Sequence, residues 1–550
     1  MNTRSLRAFC TLLLCCLLLT SLGFTSAYTA QPKLIVIIVI DQFRGDYLER
    51  SHDEFGNGGF RLFTDQGAWF VNCNYDYANT ETAPGHATLL TGAYSDRHGI
   101  FSNEWWDPAK KRMVTSVWDD GTKLVGVGSG VGASPHNLMA DTLGDELKLA
   151  TQGKSRVFTV SLKDRSAVLP GGFSANAAYW IDPASGAWVT STFYMSDLPT
   201  WAKDFNAGGR ANKYWNLEWK DADGKVLRRT TRQPAAPRNE MGQAQSPSAS
   251  FYSVVGATPF ANDYELEFAR ELITNEQLGQ GATTDLLVIS LSANDILGHQ
   301  VGPDSPEMRS MILTTDRQLA DFFGFLGRQI GLANIWLALS ADHGVSAIPS
   351  EAAKLRLPGE RLDPAQFSSQ LKSALAVKLG GRAGDYITGS DGTHFFLNQE
   401  AFAALNMKEA EAERTVGEAL KQIGARGYYT KAQLAEGEVA PDATGRQFLH
   451  SYSPLSGWYV MSVAPPYTFP WSTATGTTHG SPYNYDTHVP LAFYGLAFQT
   501  GVYRSHAEPV DLVTTLASLL GINAPNSASG RVLAEALVRR TPAQAVVPVR

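Results

Sequence analysis

Five stretches of the chain are almost continuously apolar and rich in Val, Ile and Leu: Leu34–Ile40, Ser155–Leu162, Asp285–Leu291, Ile335–Ser340 and Val489–Tyr494. Polar or glycine residues bound each of them. Unbroken apolar runs of this length mark strands covered on both faces, as in a buried parallel sheet. Between them the apolar positions recur at helical spacing from Thr88 onward and over Asn137–Ala150, Asp263–Ile273, Ser305–Leu326 and Val510–Leu520. Strands alternating with helices predict an α/β fold, a central and mostly parallel sheet flanked by helices.

Two regions interrupt the alternation. Residues from about 167 to 253 are rich in Trp, Tyr, Gly and Pro, with short alternating stretches such as Ala187–Phe193. Residues from about 349 to 456 are more helical, with an amphipathic candidate at Lys408–Ile423. Both read as insertions that decorate one catalytic domain spanning residues 28–550.

The first 27 residues follow another pattern. Arg4 and Arg7 precede the apolar stretch Ala8–Leu22, and Thr25-Ser26-Ala27 supplies small residues for cleavage. This is the pattern of an export signal, and the apolar run is shorter than the ~20 residues a membrane span needs. Three of the four cysteines lie in that segment, so its removal leaves Cys73 alone and no intramolecular disulfide. Net charge then moves from −7 to −9. A periplasmic or secreted protein without membrane association is expected, stabilised by its core. The acidic balance lacks the basic footprint of a nucleic-acid binder. At 44% hydrophobic and 18% charged residues the chain is neither disordered nor a coiled coil. Nothing in it bears on oligomeric state.

Open α/β sheets bind ligands at the carboxyl ends of their strands. Asp41 follows the first apolar run, Lys163 and Arg165 the second, Asp295 and His299 the third, and Asp342 and His343 the fourth. Three Asp and two His thus converge on one edge, and carboxylate with imidazole suits zinc or a similar divalent ion. Each piece has an ordinary structural explanation as a cap or turn; their conjunction does not. The segment Asn79–Thr88 either caps a helix with its Thr and Pro or displays Thr82 at a helix N-terminus, where anions bind.

Thr82-Ala83-Pro84-Gly85-His86, followed by Leu90-Thr91-Gly92 and His98-Gly99-Ile100, resembles the nucleophile segment of the alkaline phosphatase superfamily's threonine branch. That branch holds nucleotide pyrophosphatases/phosphodiesterases and threonine-type, phosphate-irrepressible alkaline phosphatases. The resemblance implies an alkaline-phosphatase-like fold, a phospho-threonine intermediate on Thr82 and two zinc ions per chain. One ion would be held by Asp41, Asp342, His343 and the Thr82 oxygen, the other by Asp295, His299 and His479. His488 competes with His479 for the last position, and His86 and His98 belong to the motif but not to the metal set.

Ser161-Leu162-Lys163-Asp164-Arg165 resembles the Lys-x-Arg pair of the phosphatases, and Asn103 the Asn that hydrogen-bonds a phosphoryl oxygen. The two cations match the two negative charges of a phosphate monoester. A diester carries one charge fewer and a second organic group that these side chains would crowd. A phosphomonoesterase active toward alkaline pH is therefore expected, with a phosphodiesterase or nucleotide pyrophosphatase as the alternative. Thr82 in place of Cys or Ser, and His86 in place of Arg, disfavour a sulfatase.

Overall fold

The computed structural model describes residues 31–128, 130–230, 252–470 and 476–538. The expected export segment and part of the first expected insertion lie outside them.

Among the described residues the frame is a sheet of eleven strands. Its middle comprises β1 (Leu34–Ile40), β2 (Val157–Ser161), β3 (Ala177–Ile181), β4 (Asp285–Leu291), β5 (Ile335–Ser340) and β6 (Leu491–Tyr494). Their spatial order is β6-β5-β1-β4-β2-β3. β1 is central and parallel to both neighbours, with Ile37 in register with Val288 and Ala338. Every residue of β1, β4 and β5 is buried, which is why these strands read as continuous apolar runs. β6 runs antiparallel to β5, against the expectation of a parallel strand. An apolar run reports that both faces are covered and says nothing about direction.

The helices that bear on the site are α1 (Thr82–Thr91), α2 (Asp164–Gly171), α3 (Pro259–Asn275), α4 (Ala293–Val301), α5 (Pro306–Gln329) and α6 (Asp511–Leu520). α3 and α5 begin on proline, whose missing N–H costs nothing in the first turn. Ser305 caps α5 by accepting from the Met308 N–H at 3.0 Å. α1 differs from the others in being buried on every side. Gly85 makes its position possible, because a Cβ there would collide with the carbonyl oxygen of Asp342. Only glycine lets α1 press against the loop that follows β5.

The expected insertions need redrawing. α2 and β3 belong to the main sheet layer, and Trp188–Ser191 extends it antiparallel to β3. The aromatic composition after residue 167 reflects that packing: Trp188 stacks on Phe268 of α3 with centroids 4.1 Å apart. The later insertion is a unit with its own antiparallel sheet, ordered Ile387–Asp391, His394–Leu397, Tyr459–Val463, Gly427–Thr430. It extends past residue 456, since Tyr459–Val463 is one of its inner strands. The amphipathic helix Glu409–Gln422 covers it, burying Ala412, Val416 and Leu420 in a cluster separate from the main core. No described helix is long and apolar enough to cross a membrane.

Candidate active site

Four parallel strands of the central group, β1, β2, β4 and β5, lead into polar residues at the same sheet edge. Asp41 follows β1, Lys163 follows β2, Asp342 and His343 follow β5, and α4 after β4 carries Asp295 and His299 one turn apart on one face. Asp41, Asp342 and His343 are fully buried.

The sequence-predicted ligands gather into two adjoining clusters. His299 Nε2 lies 3.1 Å and His479 Nε2 3.6 Å from Asp295 Oδ1. His343 Nε2 lies 3.6 Å from Asp41 Oδ1 and 3.4 Å from Asp342 Oδ2. The imidazoles of His343 and His479 stack at 3.6 Å, so the clusters share a wall. Ligand atoms of Asp295, His299 and His479 lie within 4.8 Å of one another, as do those of Asp41, Asp295 and His343. Asp295 thus belongs to both groups, whereas the sequence reading placed it in one.

Three histidines use Nδ1 on backbone carbonyls: His299 on Thr477 at 2.9 Å, His343 on Gly344 at 2.9 Å and His479 on Thr80 at 2.7 Å. That arrangement turns the Nε2 of each ring toward the clustered carboxylates, the face a metal would take. Burial holds the His343 imidazole down to about 3 and lowers His479, so both are neutral. Asp41 Oδ1, Asp342 Oδ2 and His343 Nε2 are buried without a hydrogen-bond partner. Unpartnered carboxylate oxygens beside an imidazole lone pair form a donor set that fits divalent cations.

Lys163 stands between the clusters. Its Nζ is 2.6 Å from Asp41 Oδ2, 2.6 Å from Asp295 Oδ2 and 3.5 Å from Thr82 Oγ1. Burial pushes the Asp41 carboxyl well above its ordinary value, and the charges of Asp295 and Asp342 push it further. Burial acts the same way on Asp295, but Lys163 and His299 outweigh it and hold that carboxyl well below the usual range. Arg165 is part-exposed at the start of α2, and its guanidinium faces Asp164 at 3.9 Å.

Thr82 opens α1, and Asn103 is bound beside it through Oδ1, which accepts from the Ala83 N–H at 2.9 Å. His86 lies nearer the chemistry than its motif suggested. It spans Thr82 O at 2.8 Å and Ser290 Oγ at 2.7 Å, with Nδ1 3.3 Å from Asp342 Oδ2. His98 is structural, bonded to Thr88 Oγ1 at 3.0 Å. His488 is bound to the Val71 carbonyl at 3.0 Å and packs on Gly45, outside both clusters.

Sequence reasoning missed two supports. Gln42 has φ 63°, a conformation costing roughly 1–2 kcal/mol for a residue with a Cβ. In that conformation its N–H reaches Asp342 Oδ1 at 3.0 Å and its Nε2 reaches Asp295 Oδ1 at 2.6 Å, tying the clusters together. The second support comes from the inserted sheet. Glu81 Oε2 accepts from the Asn103 N–H at 3.0 Å and lies 3.2 Å from Ser102 Oγ, which is 2.8 Å from Asp391 Oδ2. Asp391 Oδ2 also accepts from the Glu104 N–H at 2.9 Å. Asp391 pairs with His394 across the turn Gly392-Thr393, and a Cβ at Gly392 would collide with Glu81 Oε1. Asp-Gly signals a hairpin turn; nothing local to it signals where the tip will land.

Residues 35–426 match the profile of the type I phosphodiesterase / nucleotide pyrophosphatase family. The chain belongs to that family. Alkaline phosphatase PhoV of Synechococcus elongatus is 35% identical, over 92% of this chain and 93% of its own. A protein of Myroides odoratus named a calcium-transporting ATPase is 33% identical, over 92% and 95%. The crystal structure of wild-type alkaline phosphatase PafA superimposes with TM-score 0.82 at 28% identity, covering 92% of this chain and 99% of that one. These likenesses cover more of the chain than the family profile does.

The geometry separates the two histidines that compete in the sequence. Elemental analysis after dialysis should find metal retention weakened by at least about 10-fold in His479→Ala and unchanged in His488→Ala. The reverse result would exchange their roles.

Proposed function

We propose that the protein is an exported alkaline phosphatase that hydrolyses phosphate monoesters at two zinc ions through a phospho-threonine intermediate. Its enzyme class is that of its full-length alkaline phosphatase relatives. The observation that carries the reading is the setting of Thr82: its hydroxyl lies 3.5 Å from the Lys163 ammonium, which contacts a carboxylate of each metal-ligand cluster. Export rests on the pattern of residues 1–27.

Asp41, Asp342 and His343 would hold one ion with the Thr82 oxygen, and Asp295, His299 and His479 the other. Bound there, the ions supply Lewis-acid charge that lowers the Thr82 pKa and stabilises the leaving oxygen. Thr82 Oγ1 forms the new bond to phosphorus as the ester P–O bond breaks, and the alcohol leaves with a proton from water. Lys163, Arg165 and the Asn103 side-chain amide hold the phosphoryl oxygens as charge spreads over them. Attack of water on phospho-Thr82 then releases inorganic phosphate and restores the hydroxyl. Because the Thr82 hydroxyl must lose its proton, the rate rises into the alkaline range.

A phosphodiesterase or nucleotide pyrophosphatase is the reading favoured by the family's description. Lys163 and Arg165 argue against it, since together they match a dianion.

Three outcomes test these roles. Thr82→Ala should yield no phosphorylated protein by mass spectrometry after acid quench; normal phosphorylation would refute the nucleophile. With metal-replete protein, Lys163→Ala and Arg165→Ala should lower monoester kcat/KM by about 100-fold or more and diester kcat/KM much less. Equal losses would undo the monoester assignment. Asp391→Ala should lower monoester kcat/KM by roughly 10- to 100-fold through Asn103, with Asp391→Asn restoring most of it because one oxygen makes both bonds. Equal activity of the two variants would show that Asp391 does not position Asn103.

A further inference from the structure

A cavity of about 570 Å³ lies between the inserted unit and the loops at Ser346 and residues 478–486. His479 and Gly480 form part of its wall, as does Gly392 at the hairpin turn. A Cβ on Gly480 would stand 3.8 Å from Glu81 Cγ and 3.9 Å from Gly392 Cα. The cavity therefore opens beside the residue that precedes Thr82, on the side of the site bounded by Asp295, His299 and His479.

Its character is set by the insertion. Leu362, Phe367, Phe395, Ile423, Pro465 and Phe469 supply apolar wall, with the rings of Phe367 and Phe395 6.0 Å apart. Among the described residues that line it there is no Lys or Arg, and its acidic side chains are Glu360 and Asp486. Apolar wall without a Lys or Arg side chain favours burial of apolar surface and gives a second anion no counter-charge. A chain of further phosphates would face the carboxylates of Glu360 and Asp486 there, with no Lys or Arg among the described lining residues to offset them.

We infer that this cavity receives the leaving group of the monoester, and that the group it accepts is an uncharged aromatic or alkyl alcohol. The inference rests on the reading above, in which the Thr82 oxygen joins Asp41, Asp342 and His343 and the phosphoryl oxygens are held by Lys163, Arg165 and Asn103; it adds that the leaving oxygen lies on the side of Asp295, His299 and His479. The phosphate recognition is then common to all substrates, and the insertion selects among them by what the ester carries.

Phosphonates test it, because their P–C bond resists hydrolysis and their inhibition constants report binding alone. On the metal-replete enzyme, benzylphosphonate should bind about 10- to 100-fold more tightly than methylphosphonate, the gain expected from burying one phenyl ring. 4-Carboxybenzylphosphonate should lose most of that gain. Phe367→Ala should reduce the benzyl preference while leaving the methylphosphonate constant unchanged. Leu362→Lys, which adds a cation to the wall, should recover binding of the carboxylated compound. If inorganic phosphate and methylphosphonate inhibit but the benzyl group adds nothing, the cavity assignment is overturned and the phosphatase reading stands. If neither inorganic phosphate nor any phosphonate inhibits, the phosphatase reading falls and this inference with it.

Discussion

The mutual compensation of buried charge at one sheet edge is the constraint on which this molecule depends. Asp41, Asp295 and Asp342 are almost wholly removed from water, and isolated carboxylates in such a place would be prohibitively costly. They are tolerable because Lys163 touches two of them, His86 and His343 adjoin the third, and backbone amides take up further lone pairs. The compensation is incomplete. Several oxygens and one imidazole nitrogen retain lone pairs with no protein partner. Such a region is suited to binding positive charge from outside the chain.

The backbone holds these groups in register. Parallel pairing of β1 with β4 and β5 brings three strand termini level, so that Gln42 reaches Asp342 and Asp295, 300 and 253 residues away in sequence, within hydrogen-bonding distance. Gln42 accepts an unfavourable backbone conformation to join them, and Gly85 allows α1 to bring Thr82 against the same loop. Neither residue would be suspected from its own chemistry. Gln42 follows Asp41 and Gly85 lies within the Thr82–His86 motif, and both act through where they let other atoms sit.

The sequence was most informative where burial is complete. β1, β4 and β5 lie where their apolar runs predicted, and the Asp and His residues that follow them converge as expected. It was least informative about direction and about contacts between distant segments. The Leu491–Tyr494 strand has the composition of a parallel strand and runs the other way, since an apolar run records burial and not direction. The aromatic stretch after residue 167 looked foreign to the α/β alternation because a large aromatic cluster stabilises that flank of the sheet. The bond chain from Asp391 to Asn103 crosses nearly 290 residues of sequence, and no local pattern records it.

The Asp391-Gly392 turn bears on how enzymes of this family could be rebuilt. The unit from which it projects has its own sheet and its own apolar cluster, which would ordinarily make it a convenient module to exchange between relatives. Its tip, however, is part of the scaffold behind Thr82. A graft that preserved the module's fold but altered these two residues would leave Ser102 with one carboxylate in place of two and would drive a side chain into Glu81. On the proposed function, substrate range and catalytic geometry are therefore linked through a single β-turn, and any transplant that seeks to change the first must carry the second with it.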